Sequence, residues 1–153
     1  MTSSPRKPVP VLPELKLPLA PWLGAPPLAC LIVGGVGYGV CLAIGVDQPI
    51  GTIWGGLATA IGMLIAALAV LPWIPRPLNE WANLLLGGQL FSFMSTVGAG
   101  VVLWLATDTA PAPLGMTGAA AFLVGQLVQV SVFQAASRPI EKRLKEEGCA
   151  NAD

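Results

Sequence analysis

The chain has 153 residues, of which 54% are hydrophobic and only 10% are charged, with a net charge of zero and no histidine. Soluble domains carry about 25% charged residues, so this composition excludes an ordinary water-facing surface. The balanced charge gives no basic surface for nucleic acid. Without histidine, the chain also lacks the commonest general base and metal ligand, and we expect no enzyme activity, no cofactor and no metal site.

Four stretches contain no Asp, Glu, Lys or Arg: residues 17–46, 48–75, 81–107 and 109–137. Each is long enough for a transmembrane helix, which needs about 20 apolar residues. We therefore predict an all-α integral membrane protein with four transmembrane helices, arranged as two antiparallel hairpins. One alternative is a soluble bundle of buried helices. Another is a cleaved signal peptide, but the basic residues lie far upstream of a long apolar first stretch, which favours a retained helix.

In chain order, residues 1–27 are predicted to form a Pro-rich cytoplasmic arm, because closely spaced prolines block a regular helix. A four-helix transmembrane domain follows over residues 28–137. A break at Ser137–Arg138–Pro139 then leads into a short charged cytoplasmic tail, residues 138–153. The four helices are predicted at about 28–46, 50–71, 82–106 and 114–136.

All eight basic residues precede the first predicted helix, follow the fourth, or lie between the second and third. The two opposite turns hold only Asp47 and Asp108 as charged residues. The positive-inside rule then places both termini and the middle loop in the cytoplasm. The tryptophans fall near predicted helix ends, as an interfacial aromatic belt requires: Trp22, Trp54, Trp73, Trp81 and Trp104.

Small residues recur along every predicted helix. In lipid there is no hydrophobic driving force for helices to associate, because the lipid tails are as apolar as the helix surfaces. Transmembrane helices therefore associate where small residues allow their backbones to approach closely. These glycines therefore predict either packing within the bundle or docking against a partner's helices. The candidate packing residues are Gly35, Gly39, Gly51, Gly55, Gly62, Gly88, Gly118 and Gly125.

A few polar residues lie within the predicted spans. The spacing of Gln89, Ser92 and Thr96 puts them on one face of the third helix, and Gln126 and Gln129 share a face of the fourth. We expect Gln89 or Ser92 to hydrogen-bond Gln126 or Gln129 as contacts between helices, and a polar path for a solute is the alternative. No ionisable residue lies in the middle of any predicted helix, which argues against a pump or an ion-coupled transporter.

Several segments resemble the ATP synthase protein I family over roughly residues 30–137. These are the Gly-rich first hairpin with Asp47 and Pro49 at its turn, Gly55–Gly56, 86–89 (LGGQ) and 125–129 (GQLVQ). The resemblance implies a non-catalytic helper for assembly or stability of the rotor ring of F-type ATP synthase, in the bacterial inner membrane, with a link to magnesium supply.

The expected partners are the lipid bilayer and either membrane subunits of the synthase or further copies of this chain. Two other hypotheses stay open. One is a small oligomeric transporter or channel for an uncharged solute or an ion. The other is an accessory subunit of a different membrane complex.

Overall fold

A computed structural model of the chain describes residues 14–150, apart from the side-chain surroundings of residues 78–79 and 144–150. This part of the chain is almost entirely helical, with one short pair of strands. The elements in order are β1 (Glu14–Leu15), α1 (Leu19–Ile44), α2 (Ile50–Ala69), β2 (Arg76–Pro77), α3 (Leu78–Thr107) and α4 (Pro111–Ala150).

The four helices are each long and apolar enough to cross a membrane, over Leu19–Ile44, Ile50–Ala69, Glu80–Thr107 and Pro111–Arg143. The prediction of a helical protein with four candidate transmembrane helices is therefore confirmed. Such a set of helices supports a multi-pass membrane protein, because a span takes about 20 apolar residues.

Helix α2 lies at the centre of the bundle. It packs against α1, α3 and α4, and α1 also packs along α4, whereas α3 and α4 make little contact with each other. Helix α2 is accordingly the most buried of the four and α3 the least. The separation of α3 from α4 leaves a gap between them, with α2 as its floor.

The start of the first helix differs from the prediction. Helix α1 begins at Leu19 and runs through Pro26 and Pro27, so the arm predicted for residues 1–27 is wrong for its last nine positions. Pro18 caps the helix, and Pro21 lies in the first turn, where amides have no acceptor to lose. Prolines inside a transmembrane helix are tolerated when neighbouring groups and local adjustments satisfy the freed carbonyls. Residues 1–13 of the predicted arm lie outside the described residues.

The later helix boundaries also differ. Helix α3 begins at Leu78 rather than near residue 82, and α4 continues through Pro139 to Ala150 instead of breaking at Ser137. Its 40 residues correspond to about 60 Å at 1.5 Å per residue, about twice the hydrocarbon thickness of a bilayer. Helix α4 is therefore longer than a single crossing requires, and Ile140 in its later part packs against a hydrophobic cluster.

That cluster closes one end of the bundle, and we call it the cap cluster. Strand β1 pairs antiparallel with β2, with Leu15 opposite Arg76, and the Trp81 indole N–H donates to the Leu15 carbonyl at 2.9 Å. The buried residues of the cap cluster are Leu15, Leu17, Trp22, Ala67, Val70 and Trp81.

The cap cluster corrects the aromatic-belt interpretation for two of the five tryptophans. Trp22 and Trp81 have no exposed surface, because their rings pack against protein rather than against lipid headgroups. Trp73 and Trp104 are exposed, as a belt requires.

Candidate functional site

The inner glycines of α2 bring helix backbones into direct contact. At Gly56, a Cβ atom would lie 2.8 Å from the Cys30 carbonyl oxygen and 2.8 Å from the Gly34 Cα. Only glycine allows α1 to approach α2 so closely at this level. Neither Gly34 nor Gly56 was among the predicted packing residues.

A neighbouring face of α2 uses predicted glycines to receive α4. A Cβ atom at Gly55 would overlap the Leu114 carbonyl and lie 2.9 Å from the Gly118 amide nitrogen. One turn earlier, Gly51 faces Pro113 at 3.4 Å. The structure thus brings Gly51, Gly55 and Gly118 together at the α2–α4 contact.

Three other predicted glycines face inward and contact side chains as well as backbone. Gly62 faces Thr96 of α3, and Gly88 faces the Val70 side chain at 3.1 Å. A Cβ atom at Gly125 would lie 2.8 Å from the Cys30 Sγ and 2.8 Å from the Met63 Cε.

Gly35 and Gly39 point away from the bundle. A Cβ atom at either position would meet nothing within 4 Å, and both residues are exposed. The prediction that this pair packs within the bundle is therefore wrong, and docking against a partner's helix stays a prediction.

Exposed leucines flank Gly35 and Gly39 along the same side of α1. We call the surface formed by Leu28, Leu31, Gly35, Gly39 and Leu42 the α1 outer face.

The buried hydroxyl groups within the bundle pair mainly with helix backbones. Thr59 on α2 is placed to donate to the Gly55 carbonyl at 2.9 Å or, across the helix contact, to the Gly118 carbonyl at 3.1 Å. Ser92 on α3 donates to the Met63 Sδ at 3.4 Å. The sequence analysis did not name Thr59 or Met63 as site residues. Thr59 is four residues from Gly55, and this spacing places Thr59 and Gly55 on one face of α2.

The expected hydrogen bond between α3 and α4 does not form. The Ser92 hydroxyl is hydrogen-bonded to the Met63 Sδ on α2. The amide nitrogen and the amide oxygen of Gln126 are both buried without a hydrogen-bond partner. Gln129 is only partly buried. Gln89 and Gln126 do line one cavity, so the polar faces are neighbours, but the separation of α3 from α4 keeps these side chains from pairing.

The gap between α3 and α4 holds two adjoining cavities, which we together call the α3/α4 groove. The larger, of about 580 Å³, extends past Val101, Trp104 and Leu123. The smaller, of about 420 Å³, contains Gln89 and Gln126. Both are lined by Phe93 and Phe122, whose rings meet edge to face with centroids 5.7 Å apart.

The walls of the α3/α4 groove determine what it can hold. The larger cavity is lined almost only by apolar atoms, and among its lining residues Thr59, Thr96 and Trp104 are those whose side chains carry a polar atom. The Thr96 hydroxyl is buried without a partner. The groove therefore has mostly apolar walls, and Gln89 and Gln126 are the residues with polar side chains that line its smaller cavity.

Metal ligands do not cluster in the part of the chain that the structure describes. Within residues 14–143, where side chains other than those of 78–79 are described, no group of three or more Cys, Asp or Glu side chains is placed to hold a metal ion. Cys30 is buried and donates to the Ala121 carbonyl at 3.4 Å, so its role in the bundle is packing.

No protein-family model matches the chain, and no curated protein or solved structure matches it either. The resemblance to the ATP synthase protein I family therefore rests on the segments quoted in the sequence analysis, and it stays a prediction.

Proposed function

We propose that this protein is a non-catalytic accessory protein that docks onto a transmembrane helix of a membrane complex through the α1 outer face. The membrane part of F-type ATP synthase is the proposed complex, because it is the partner that the sequence resemblance implies. The proposed setting is the bacterial inner membrane, with four crossings arranged as two antiparallel hairpins and both termini cytoplasmic.

The outward orientation of Gly35 and Gly39 carries this proposal. The two glycines are four residues apart with open space above them, an arrangement that lets a second helix backbone approach closely in lipid. The inward positions of α1, including Gly34, already serve contacts within the bundle. Among the described residues the outward pair makes no such contact, and a partner helix would supply one.

The contacts at the two ends of the bundle support the proposed topology. The Asp47 turn and the Asp108 turn lie together, because the Gln48 side chain accepts a hydrogen bond from the Ala110 amide at 2.8 Å. The chain before α1, the loop after α2 and the late part of α4 meet in the cap cluster. This grouping agrees with a cytoplasmic side that contains the basic residues and an opposite side that contains the two acidic turns.

A transporter has less support from the arrangement of polar side chains. Gln89 and Gln126 share their small cavity with Leu86, Leu90, Phe93 and Phe122, and the adjoining cavity is apolar. A polar solute would lose its hydration there without gaining a row of hydrogen-bonding partners.

Affinity purification from native membranes in mild detergent tests the proposal. The tagged protein should retain membrane subunits of the ATP synthase. Gly35→Leu and Gly39→Leu should release them, because each adds a bulky side chain to the docking surface. Gly98→Leu is the matched control, since Gly98 is an exposed glycine of α3 with open space above it.

Two results would count against the proposal. Recovery of only further copies of this chain would indicate self-association in place of a complex with the synthase. Equal recovery of synthase subunits by the wild type and both α1 variants would place the docking surface elsewhere on the protein.

A further inference from the structure

In the proposed topology, Arg76 lies at the membrane surface beside the cap cluster. Helix α2 ends at Ala69 and the next candidate span begins at Glu80, so the loop that contains Arg76 joins two crossings on one side of the bilayer. The 20 residues of α2 correspond to about 30 Å, which is the thickness of the hydrocarbon. Trp73 in the same loop is 43% exposed, as suits an aromatic residue at the depth of the lipid head groups.

Two contacts hold Arg76 in place. Its backbone lies in β2 opposite Leu15 of β1, and Leu15 is buried in the cap cluster. Its guanidinium carbon lies 5.9 Å from the centre of the Trp81 ring, within the range of a cation–π interaction. Trp81 is fully buried and donates to the Leu15 carbonyl. An arginine held in this way loses less conformational freedom when it binds a ligand.

The positive charge of Arg76 has no carboxylate partner. Among the described side chains, none forms an ion pair with Arg76, and Arg76 is only partly buried. A guanidinium carries five N–H donors in a planar fork, which matches the oxygen atoms of a phosphate. Arg76 therefore offers unused donors at the depth where the phosphates of the lipids lie.

The charge around the cap cluster favours a lipid whose head group is negative overall. Lys16 is exposed beside Leu15. Arg143 shares a face of α4 with Ala136 and Ile140, which pack on the cap cluster, because residues three, four and seven apart lie on one side of a helix. A surplus of basic residues near the membrane attracts anionic lipids. Basic side chains outnumber acidic ones among the described side chains at this end: Lys16, Arg76, Arg138, Lys142 and Arg143 against Glu14, Glu80 and Glu141.

We propose that Arg76 binds the phosphate of an anionic phospholipid, such as phosphatidylglycerol, in the leaflet that borders the cap cluster. The guanidinium donates to the phosphate oxygens while it stays stacked on Trp81, and Lys16 and Arg143 supply positive charge around it. This inference rests on the proposed four-crossing topology. It does not depend on the α1 outer face or on the identity of a partner complex.

Native mass spectrometry of the full-length protein in mild detergent tests the site. The protein is titrated with phosphatidylglycerol and with phosphatidylcholine of the same acyl chains, and the first bound lipid is quantified. Phosphatidylglycerol should bind more tightly, and Arg76→Gln should weaken its binding about three- to tenfold, the range expected when a charge-assisted hydrogen bond at a partly exposed site is lost.

Arg138→Gln is the matched control, because it removes the same charge from an exposed position. Arg138 is two residues from both Ala136 and Ile140, so it lies on the side of α4 away from the cap cluster. This variant should bind phosphatidylglycerol nearly as the wild type does. Equal losses in Arg76→Gln and Arg138→Gln would indicate general attraction between charges and overturn the proposal.

Two measurements on the wild-type protein keep the test decisive where a variant folds poorly. Phosphatidylglycerol with a diazirine near its glycerol backbone should label residues 73–77 in vesicles, and labelling spread evenly over both ends of the bundle would overturn the proposal. Inorganic phosphate at millimolar concentration should leave the bound lipid in place. Displacement of the lipid by inorganic phosphate would assign the site to a soluble anion instead.

The two proposals can fail separately. Arg76→Gln should leave recovery of synthase subunits unchanged, because Arg76 and the α1 outer face are different surfaces. Conversely, Gly39→Leu should leave the titration with phosphatidylglycerol unchanged.

Discussion

Substitution of Gly56 by alanine tests the contact between α1 and α2. A Cβ atom at this position would lie 2.8 Å from the Cys30 carbonyl oxygen and 2.8 Å from the Gly34 Cα. Both neighbours are backbone atoms, so no side chain can rotate out of the way and the helices must move apart. Overpacking of this kind typically costs about 1–3 kcal/mol.

A matched alanine separates this packing cost from helix propensity. Alanine favours a helix over glycine by up to about 1 kcal/mol, and Gly98→Ala should gain that amount because a Cβ there meets nothing within 4 Å. Since both variants share the propensity gain, Gly56→Ala should have a free energy of unfolding about 1–3 kcal/mol below that of Gly98→Ala.

Reversible unfolding in mixed micelles of mild detergent and sodium dodecyl sulfate provides the measurement. Tryptophan fluorescence is a suitable signal, because Trp22 and Trp81 are fully buried in the folded protein. Equal free energies of unfolding for Gly56→Ala and Gly98→Ala would refute the close α1–α2 contact on which the helix arrangement depends.

Three further predictions concern the cap cluster, the α2–α4 contact and the topology. Leu15→Ala should lower the free energy of unfolding by about 2–5 kcal/mol, because it truncates a buried side chain; Leu19→Ala, at an exposed position, should change it little in the same titration. Thr59→Val should cost about 0.5–1.5 kcal/mol through loss of its buried hydrogen bonds, and an unchanged unfolding midpoint would contradict this. Cysteines introduced at Asp47 and Arg76 should react with an impermeant maleimide from opposite sides of the membrane, and labelling from the same side would refute the four-crossing topology.

The prolines show where local sequence rules gave wrong boundaries. Pro26, Pro27 and Pro139 each remove a backbone donor, so the sequence predicts breaks at these positions. The helices continue through all three. At Pro139 a tertiary contact favours continuation of the helix, because Ile140 packs on the cap cluster. A proline rule that considers only neighbouring residues cannot include such a contact.

The glycines show a different limit of the sequence. Apolar residues surround α1 on all sides, so its periodicity does not distinguish an inner face from an outer one. Gly34 and Gly35 are adjacent in the chain, yet Gly34 contacts Gly56 while Gly35 faces outward. The motif at Gly35 and Gly39 was visible in the sequence, but its orientation was not.

The unpaired Gln126 amide was also beyond sequence reasoning. The predicted hydrogen bond between the polar residues of α3 and α4 is wrong, although Gln89 and Gln126 line one cavity. Whether they pair depends on the distance between two helices, which α2 controls by packing against both. A separation of a few ångströms decides whether these side chains form a hydrogen bond.

The sequence by itself determined that four helices are long and apolar enough to cross a membrane. The positions of ionised residues can be located along the chain without a structure, and a long stretch that lacks them can form a helix in the hydrocarbon of a bilayer. Tertiary structure alone decided which glycines meet, which tryptophans are buried and where the groove opens. Those outcomes depend on how each apolar helix is rotated about its axis, and the packing of one helix against another sets that rotation.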